Sequence, residues 1–484
     1  MLSLVWFKRD LRVVDHPALA LAAAQGPVLP LYIVEPELWA QPDASARQWD
    51  FVAECLGDLR ADLAALGQPL ILRVGDAVEV LARLCAVHRV EQIVSHQETG
   101  NGWSVARDQR VADWARGQGM PWVEVPQSGV ARAGNARDRG AFLRAPLAEV
   151  SALVPLTEGS GTIPGAKALK LAEDRCPNRQ RGGRAAGTQA LDSFLSARGL
   201  VSRRALASPL VAERAGSRLS PWLSWGALSL REVVAASARG RLGRPEWGAA
   251  LRGFEGRLAL RDRALQHLED EPSLEFGTPD PGAPADPGLA DPRLLAAWAL
   301  GETGLPYVDA CMRHARATGW LHARGRGLLM AVARHHLTLD WRRAGLQLAR
   351  LFTDYEPGIH WSECQRHAGA AVRLVNPVHE GMASDPQGGF LRRWLPELSA
   401  VPDAFVHEPW KWPVARQHLA GRYPEPVIDP ANATRAARAM LAAQRLRTTA
   451  PRLARNRALA SPGAAQMALD LWGVARLAGG DGPR

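Results

Sequence analysis

Five short apolar runs punctuate the first 130 residues: SLVWF, VLPLYIV, PLILRVG, QIVSHQ and WVEVP. Each is too short for a buried helix and long enough for a strand covered on both faces. Between them lie HPALALAAAQ, ARQWDFVAECLGDLRADLAALG, DAVEVLARLCAVHR and NGWSVARDQRVADWARGQG, where apolar residues return with a helical period. Regular strand–helix alternation predicts a doubly wound parallel sheet of the Rossmann-like kind. The first strand runs into WFKRDLRVVDHPAL rather than GxGxxG, so the ordinary dinucleotide fingerprint is missing there.

The pattern changes after residue 130. Residues 131–185 are rich in Gly, Arg, Pro and Asn and hold no steady period, as expected of a connector over the surface. From 186 to 412 the chain is almost wholly helical in period, with Gly and Pro between segments and a Pro/Gly loop at 274–291. Residues 413–484 form an Arg/Ala-rich basic extension containing TRAARAMLAAQRLR. The expected fold is therefore α/β followed by all-α.

Composition narrows the classes. No run of 18 apolar residues occurs, so no membrane-spanning helix is expected. The start MLSLVWFKRDLR has no apolar signal core. Cys55, Cys85, Cys176, Cys311 and Cys364 lack CxxC spacing, which argues against a disulfide framework or a four-cysteine metal site. A reducing, cytoplasmic setting is the expectation. The formal charge of +10 suits a polyanion such as nucleic acid. Lysine stands only at 8, 167, 170 and 411, so the positive charge is nearly all arginine and partly reflects compositional bias. Seventeen tryptophans against four tyrosines suit core packing, base stacking or electron transfer.

The motifs sharpen this outline. VWFKRDLRVVDHPAL, GSRLSPWLSWGALSLREV at 216–233 and GETGLPYVDACMRHARATGWLHARGRG at 301–327 resemble the DNA photolyase/cryptochrome family. LTLDWRRAGLQLARLFTDYEPG at 337–358, RLVNP at 373–377 and DPQGGFLRRWLPEL at 385–398 continue the resemblance in the same order, over roughly residues 1–412. It implies an antenna domain joined to a helical domain that holds FAD. It also implies a reduced flavin that, on illumination, passes an electron to a flipped pyrimidine dimer, or signals instead.

Site residues follow from the same resemblance. Ser217, Leu219 and Ser220 match the turn that contacts the FAD phosphates, and Arg261 the arginine that reaches the phosphate region. Arg326 and Asp354 match an ion pair beside the isoalloxazine, and Glu356 stands where the family has Asp. His360 falls opposite flavin N5. An unperturbed histidine titrates near pH ~6.5 and so can give or withhold a proton there. Trp341 matches the middle of a tryptophan electron chain, but its proximal member is Cys364 here and its distal position falls in 284–290, which has no tryptophan. Trp298, Trp320 and Trp361 offer other routes.

Arg324 and Arg373 match arginines that contact DNA phosphates, whereas the lesion-facing positions read Arg257, Leu260, Ala323 and Arg366. HQETGNGWSVARDQRV, with Arg107 and Asp108, resembles the antenna-domain turn, without fixing a pigment. The resemblance thus implies a monomeric FAD protein that acts on single-stranded or damaged duplex DNA, or a blue-light receptor with an unknown signalling partner.

Overall fold

The computed structural model describes residues 1–132, 138–202, 208–279 and 291–459, the last as backbone alone beyond 446. The expected tryptophan position at 284–290 lies outside the described residues. Strands β1 (Ser3–Phe7), β2 (Val28–Val34), β3 (Ile71–Val74), β4 (Gln92–His96) and β5 (Trp122–Val125) form one sheet in the order β3-β2-β1-β4-β5. Every pairing is parallel. Helices α1 (Pro17–Gln25), α2 (Ala46–Ala65), α3 (Ala77–His88) and α4 (Gly102–Gly117) make the crossovers. Both faces are covered, so β1, β2 and β4 are buried at every residue and read as continuous apolar runs. Segment 153–164 binds this unit through Leu153 N–H to the Leu66 carbonyl, Leu72 N–H to Ser160 and Trp49 Nε1–H to Pro164.

The principal helices beyond it are α5 (Arg184–Ser193), α6 (Leu230–Gly243), α7 (Gly248–Asp270), α8 (Pro306–Thr318), α9 (Ala323–Ala331), α10 (Trp341–Leu351), α11 (Pro357–Ala368) and α12 (Pro430–Leu459). Their core gathers Trp298, Met312, Leu329, Trp341, Trp361 and Phe390. The helix starts are written locally. Ser229 and Glu232 form a capping box on α6, and the Asp340 carboxylate accepts from Arg343 N–H on α10. Pro357 opens α11, where a missing N–H is harmless. Helix α12 lays Ala437 and Leu441 on Ala331, Ala370, Val372 and Leu374. Arg445 ties it down by donating to the carbonyls of Ala370 and Val372. Among the described residues no helix is long and apolar enough to cross a membrane.

The two units are joined by buried polar contacts. Arg47, on α2, is 2% exposed. It pairs with Asp174 at 2.5 Å and donates to the carbonyls of Ala315 (3.3 Å), Arg316 (2.9 Å) and Leu351 (3.1 Å). Those carbonyls end α8 and α10, where a cation meets the negative pole of each helix. Arg47→Ala leaves Asp174 and the helix ends unpaired and should cost about 3–5 kcal/mol, the usual penalty for breaking a buried pair. Arg47→Lys should recover only part, because a point charge cannot reach all four partners. Urea denaturation of both variants measures this.

Candidate cofactor site

The site is organised by five residues, Phe352–Glu356, that cross from α10 to α11 outside any helix. The Phe352 carbonyl accepts from Tyr355 N–H, and side chains from elsewhere reach four of the five carbonyls. Gln48 Nε2–H donates to Phe352 (3.2 Å), and Trp225 Nε1–H to Thr353 (3.0 Å). Ser224 Oγ–H donates to Asp354 (3.1 Å) and Arg9 Nη2–H to Tyr355 (2.7 Å). The fifth, Glu356, accepts from His360 N–H as α11 begins. With its backbone fixed, the segment aims its two carboxylates.

Asp354 meets Arg326, whose Nη2 lies 2.9 and 2.8 Å from its two oxygens. Arg326 also donates from Nε to the Leu321 carbonyl and stands 3.9 Å over the Phe352 ring. Glu356 accepts from Arg261 Nη2 at 2.5 Å, and Arg9 lies 3.8 Å away. Arg261, expected to reach the cofactor's phosphate region, is thus also paired with a carboxylate within the chain. The longer Glu arm reaches it, and the Leu223 carbonyl takes a further bond from Nη2.

In the turn Gly216–Ser220, Leu219 is buried in the core, Ser217 is half-buried and Ser220 begins a one-turn helix. The distinctive group is Arg218, which the sequence motif contained without marking. It adopts φ +57° and lays its guanidinium 4.2 Å over Trp320. Its Nε donates to Gln180 Oε1 at 3.3 Å. Among the described residues no carboxylate pairs with it, and burial pushes it down to about 10. Arg198 donates to the carbonyls of Gly216 and Ser217 beside it. Two guanidiniums without an acid make a seat for an anion.

His360 does not titrate near its ordinary value. Burial pushes it down to about 4. Its Nε2 lies 2.9 Å from the Gly345 carbonyl and 3.5 Å from Cys364 Sγ. A carbonyl only accepts, so Nε2 carries the proton and Nδ1 a lone pair. At neutral pH His360 is therefore a neutral imidazole with its lone pair at Nδ1, and of the two expectations, giving or withholding a proton, this tautomer favours withholding at that nitrogen. Gly345 makes this packing possible: a Cβ on it would stand 2.7 Å from the Trp361 ring and 3.6 Å from Cys364 Sγ. Burial raises the Cys364 thiol well above its ordinary range, which keeps it protonated. Trp341 stands edge-on to Trp361 with ring centroids 5.8 Å apart.

The arginines matched to DNA contacts are on the surface. Arg324 is half-exposed and paired with Glu380, and Arg373 is exposed. Arg366 is exposed and paired with Glu363, Leu260 is 56% exposed, and Ala323 is exposed at the start of α9. Burial lowers Arg257.

Two features of the α/β unit border this site. Asp10, His16 and His96 are buried together. His16 Nδ1 accepts from Leu19 N–H at 2.9 Å, so its proton sits on Nε2 and points at Asp10 Oδ2, 3.1 Å away. Metal ligation at that nitrogen would require an imidazolate, so the trio is a hydrogen-bonded knot. Beyond the ends of β1, β2 and β4 lies a cavity of ≈ 50 Å³ lined by Lys8, Glu35, Trp39, Asp43, Arg107 and Tyr355 among others. One buried water needs ~10–15 Å³, so a pigment here would have to displace Trp39 or its neighbours.

A parallel α/β unit joined to a helical unit, with ion-paired carboxylates on the segment between two helices, is the architecture that comparison places in a family. DNA photolyase matches residues 3–144, and the FAD binding domain of DNA photolyase matches residues 254–443. Deoxyribodipyrimidine photo-lyase of Vibrio cholerae is 30% identical over 88% of this chain and 96% of its own. Cryptochrome DASH of Gloeobacter violaceus is 27% identical over 88% and 93%. The fold of a Synechocystis cryptochrome superposes with a TM-score of 0.81, at 22% identity, over 90% of this chain and 99% of that one. The chain belongs to the DNA photolyase/cryptochrome family.

The pKa of His360 gives a pH prediction. Its folded value, about 4, lies below the unfolded ~6.5. The folded state therefore binds fewer protons, so its contribution is complete above pH ~6.5 and is lost as pH falls through ~4. His322 and His336 are pushed to about 4 as well and act in the same direction. Stability should fall steeply between pH ~6.5 and ~4, with His360 responsible for up to about 3 kcal/mol. Denaturation across this range checks it, and His360→Asn should flatten the profile.

Proposed function

We propose that this chain is an FAD-dependent flavoprotein that uses light to transfer an electron, acting on UV-damaged DNA in the manner of a photolyase. The observation that supports the cofactor is the half-buried Arg218 at the Gly216–Ser220 turn, which among the described residues pairs with no acid. A diphosphate supplies the anion this guanidinium lacks, with Arg198 alongside. FAD supplies a chromophore that exchanges single electrons on absorbing light. The chain's residues orient it. Arg326 and Asp354 present a fixed ion pair to the ring, Glu356 and Arg261 a second pair, and His360 a lone pair at Nδ1.

Arg324 and Arg373 lie on the surface, Arg324 beside Glu380. In this reading they hold a phosphate backbone of single-stranded or damaged duplex DNA without reading sequence. The protein acts as a cytoplasmic monomer.

A second reading, a cryptochrome-like blue-light receptor without dimer repair, is favoured by one observation. Exposed Leu260 and Arg366 occupy lesion-facing positions where a stacking aromatic is expected. Loss of one stacked base costs ~1–3 kcal/mol.

Two measurements test these readings. Arg218→Met removes a charge-assisted contact worth ~1.5–3 kcal/mol and should weaken FAD binding about 10–100-fold, read by flavin fluorescence titration. The flavin-loaded protein, illuminated with reductant and dimer-containing single-stranded DNA, should consume dimers. Bound flavin with dimers intact would establish the receptor reading instead.

A further inference from the structure

Between the two carboxylates of the site stands Tyr355, 5% exposed. Its hydroxyl accepts from Trp361 Nε1–H at 3.1 Å and donates to Asp43 Oδ2 at 2.7 Å. Asp43 belongs to the α/β unit and also accepts from Asn101 Nδ2–H at 3.0 Å. Indole, phenol and carboxylate thus form a single buried hydrogen-bonded file across the junction of the two units. Asp43 borders the cavity beyond the ends of the strands, together with Lys8, Glu35 and Arg107. Trp361 and Tyr355 both lie edge-on to His360, with ring centroids 5.0 and 5.2 Å away.

An aromatic pair packed together is expected of any core. Buried phenols take a hydrogen-bond partner in any core, as Tyr423 does with Asp309, but Tyr355 also receives an indole N–H and lies against His360. This arrangement suits one-electron oxidation of a tyrosine. Phenol oxidation is difficult unless the proton leaves with the electron, and a 2.7 Å bond to a carboxylate provides its destination. Burial and the Asp43 charge hold the ground-state phenol well above its ordinary range, so the proton stays on Tyr355 until oxidation.

We propose that Trp361 and Tyr355 form a proton-coupled electron-donor pair, with Asp43 as the proton acceptor. This rests on the flavin reading above, because the oxidant is a photoexcited oxidised flavin. Trp361 gives up one electron and becomes a radical cation. Tyr355 then passes one electron to Trp361 and its phenolic proton to Asp43 Oδ2. Trp361 is restored, Tyr355 becomes a neutral phenoxyl radical and Asp43 becomes neutral, so charge and electrons balance. The return of the electron requires the proton to return as well, which prolongs the charge-separated state. An external reductant later restores Tyr355.

Transient absorption of the flavin-loaded protein should show an indole radical converting to a tyrosyl radical, more slowly in heavy water. Tyr355→Phe and the isosteric Asp43→Asn should each abolish the tyrosyl signal and leave a longer-lived indole radical. An unchanged tyrosyl signal in both variants overturns the proposal, as does flavin reduction without any tyrosyl radical in the unmodified protein. The heavy-water arm needs no variant and so does not depend on variant folding. If no flavin binds, the flavin reading fails by itself. Pulse radiolysis with azide radicals then tests the pair on the flavin-free protein. The same loss of tyrosyl yield in Tyr355→Phe and Asp43→Asn sustains the pair, and equal yields overturn it.

Discussion

Everything at the site depends on how residues 352–356 are held. A stretch of backbone that is neither helix nor strand cannot be buried with bare carbonyls, since each orphan costs ~1–3 kcal/mol. Here the side chains of Gln48, Trp225, Ser224 and Arg9 supply the missing donors. Gln48 and Arg9 come from the α/β unit, so the segment that carries Asp354 and Glu356 is positioned by a unit to which it does not belong. The junction is consequently more than a linker. Arg47 closes two helix ends from the same side, and Gly226, at φ +68°, lets the helical unit approach the Arg9 carbonyl where a Cβ would come within 2.2 Å.

Charge is distributed around this frame in two ways. Asp354 and Glu356 are each matched by an arginine within the chain, so burial leaves them compensated. Among the described residues no carboxylate pairs with Arg218 or Arg198, which hydrogen-bond instead to Gln180 and to backbone carbonyls, and burial lowers both. In the reading proposed above, the matched pairs orient the cofactor and these arginines bind its anion.

Much of the fold was legible because it depends on periodicity. The runs of β1, β2 and β4 are apolar throughout, since parallel strands covered on both faces leave no position for a polar alternation. Caps such as Asp340 and Pro357 are local and equally readable. The site was legible only as far as its motifs extend. DYEPGIHW marks Asp354, Glu356 and His360 as a group, but no periodicity reveals that Glu356 reaches Arg261, 95 residues away. Nor does it reveal that Asp43 lies against Tyr355 across 312 residues. Arg218 was hidden differently. Among so many arginines its type carries no signal, and only burial without an acid distinguishes it.

His360 shows why residue type alone misleads about proton chemistry. Its ordinary pKa suggests a switch near neutrality. Its surroundings provide a carbonyl at Nε2, aromatic edges from Tyr355 and Trp361, and no acid in contact. Burial disfavours the cation and outweighs the Gly345 carbonyl, which favours it, and the result is a neutral imidazole fixed in one tautomer. The same packing explains how a cysteine can occupy position 364. Gly345 admits the Trp361 ring and the Cys364 sulfur side by side, so a large aromatic is already present next to the vacated position. The file from Trp361 to Asp43 then gives that aromatic a polar outlet, which a tryptophan at 364 facing the apolar core would not need. In the donor pair proposed above, Trp361, one turn back along α11, stands in for the aromatic that Cys364 replaces, and its hydrogen bonds lead across the junction to Asp43.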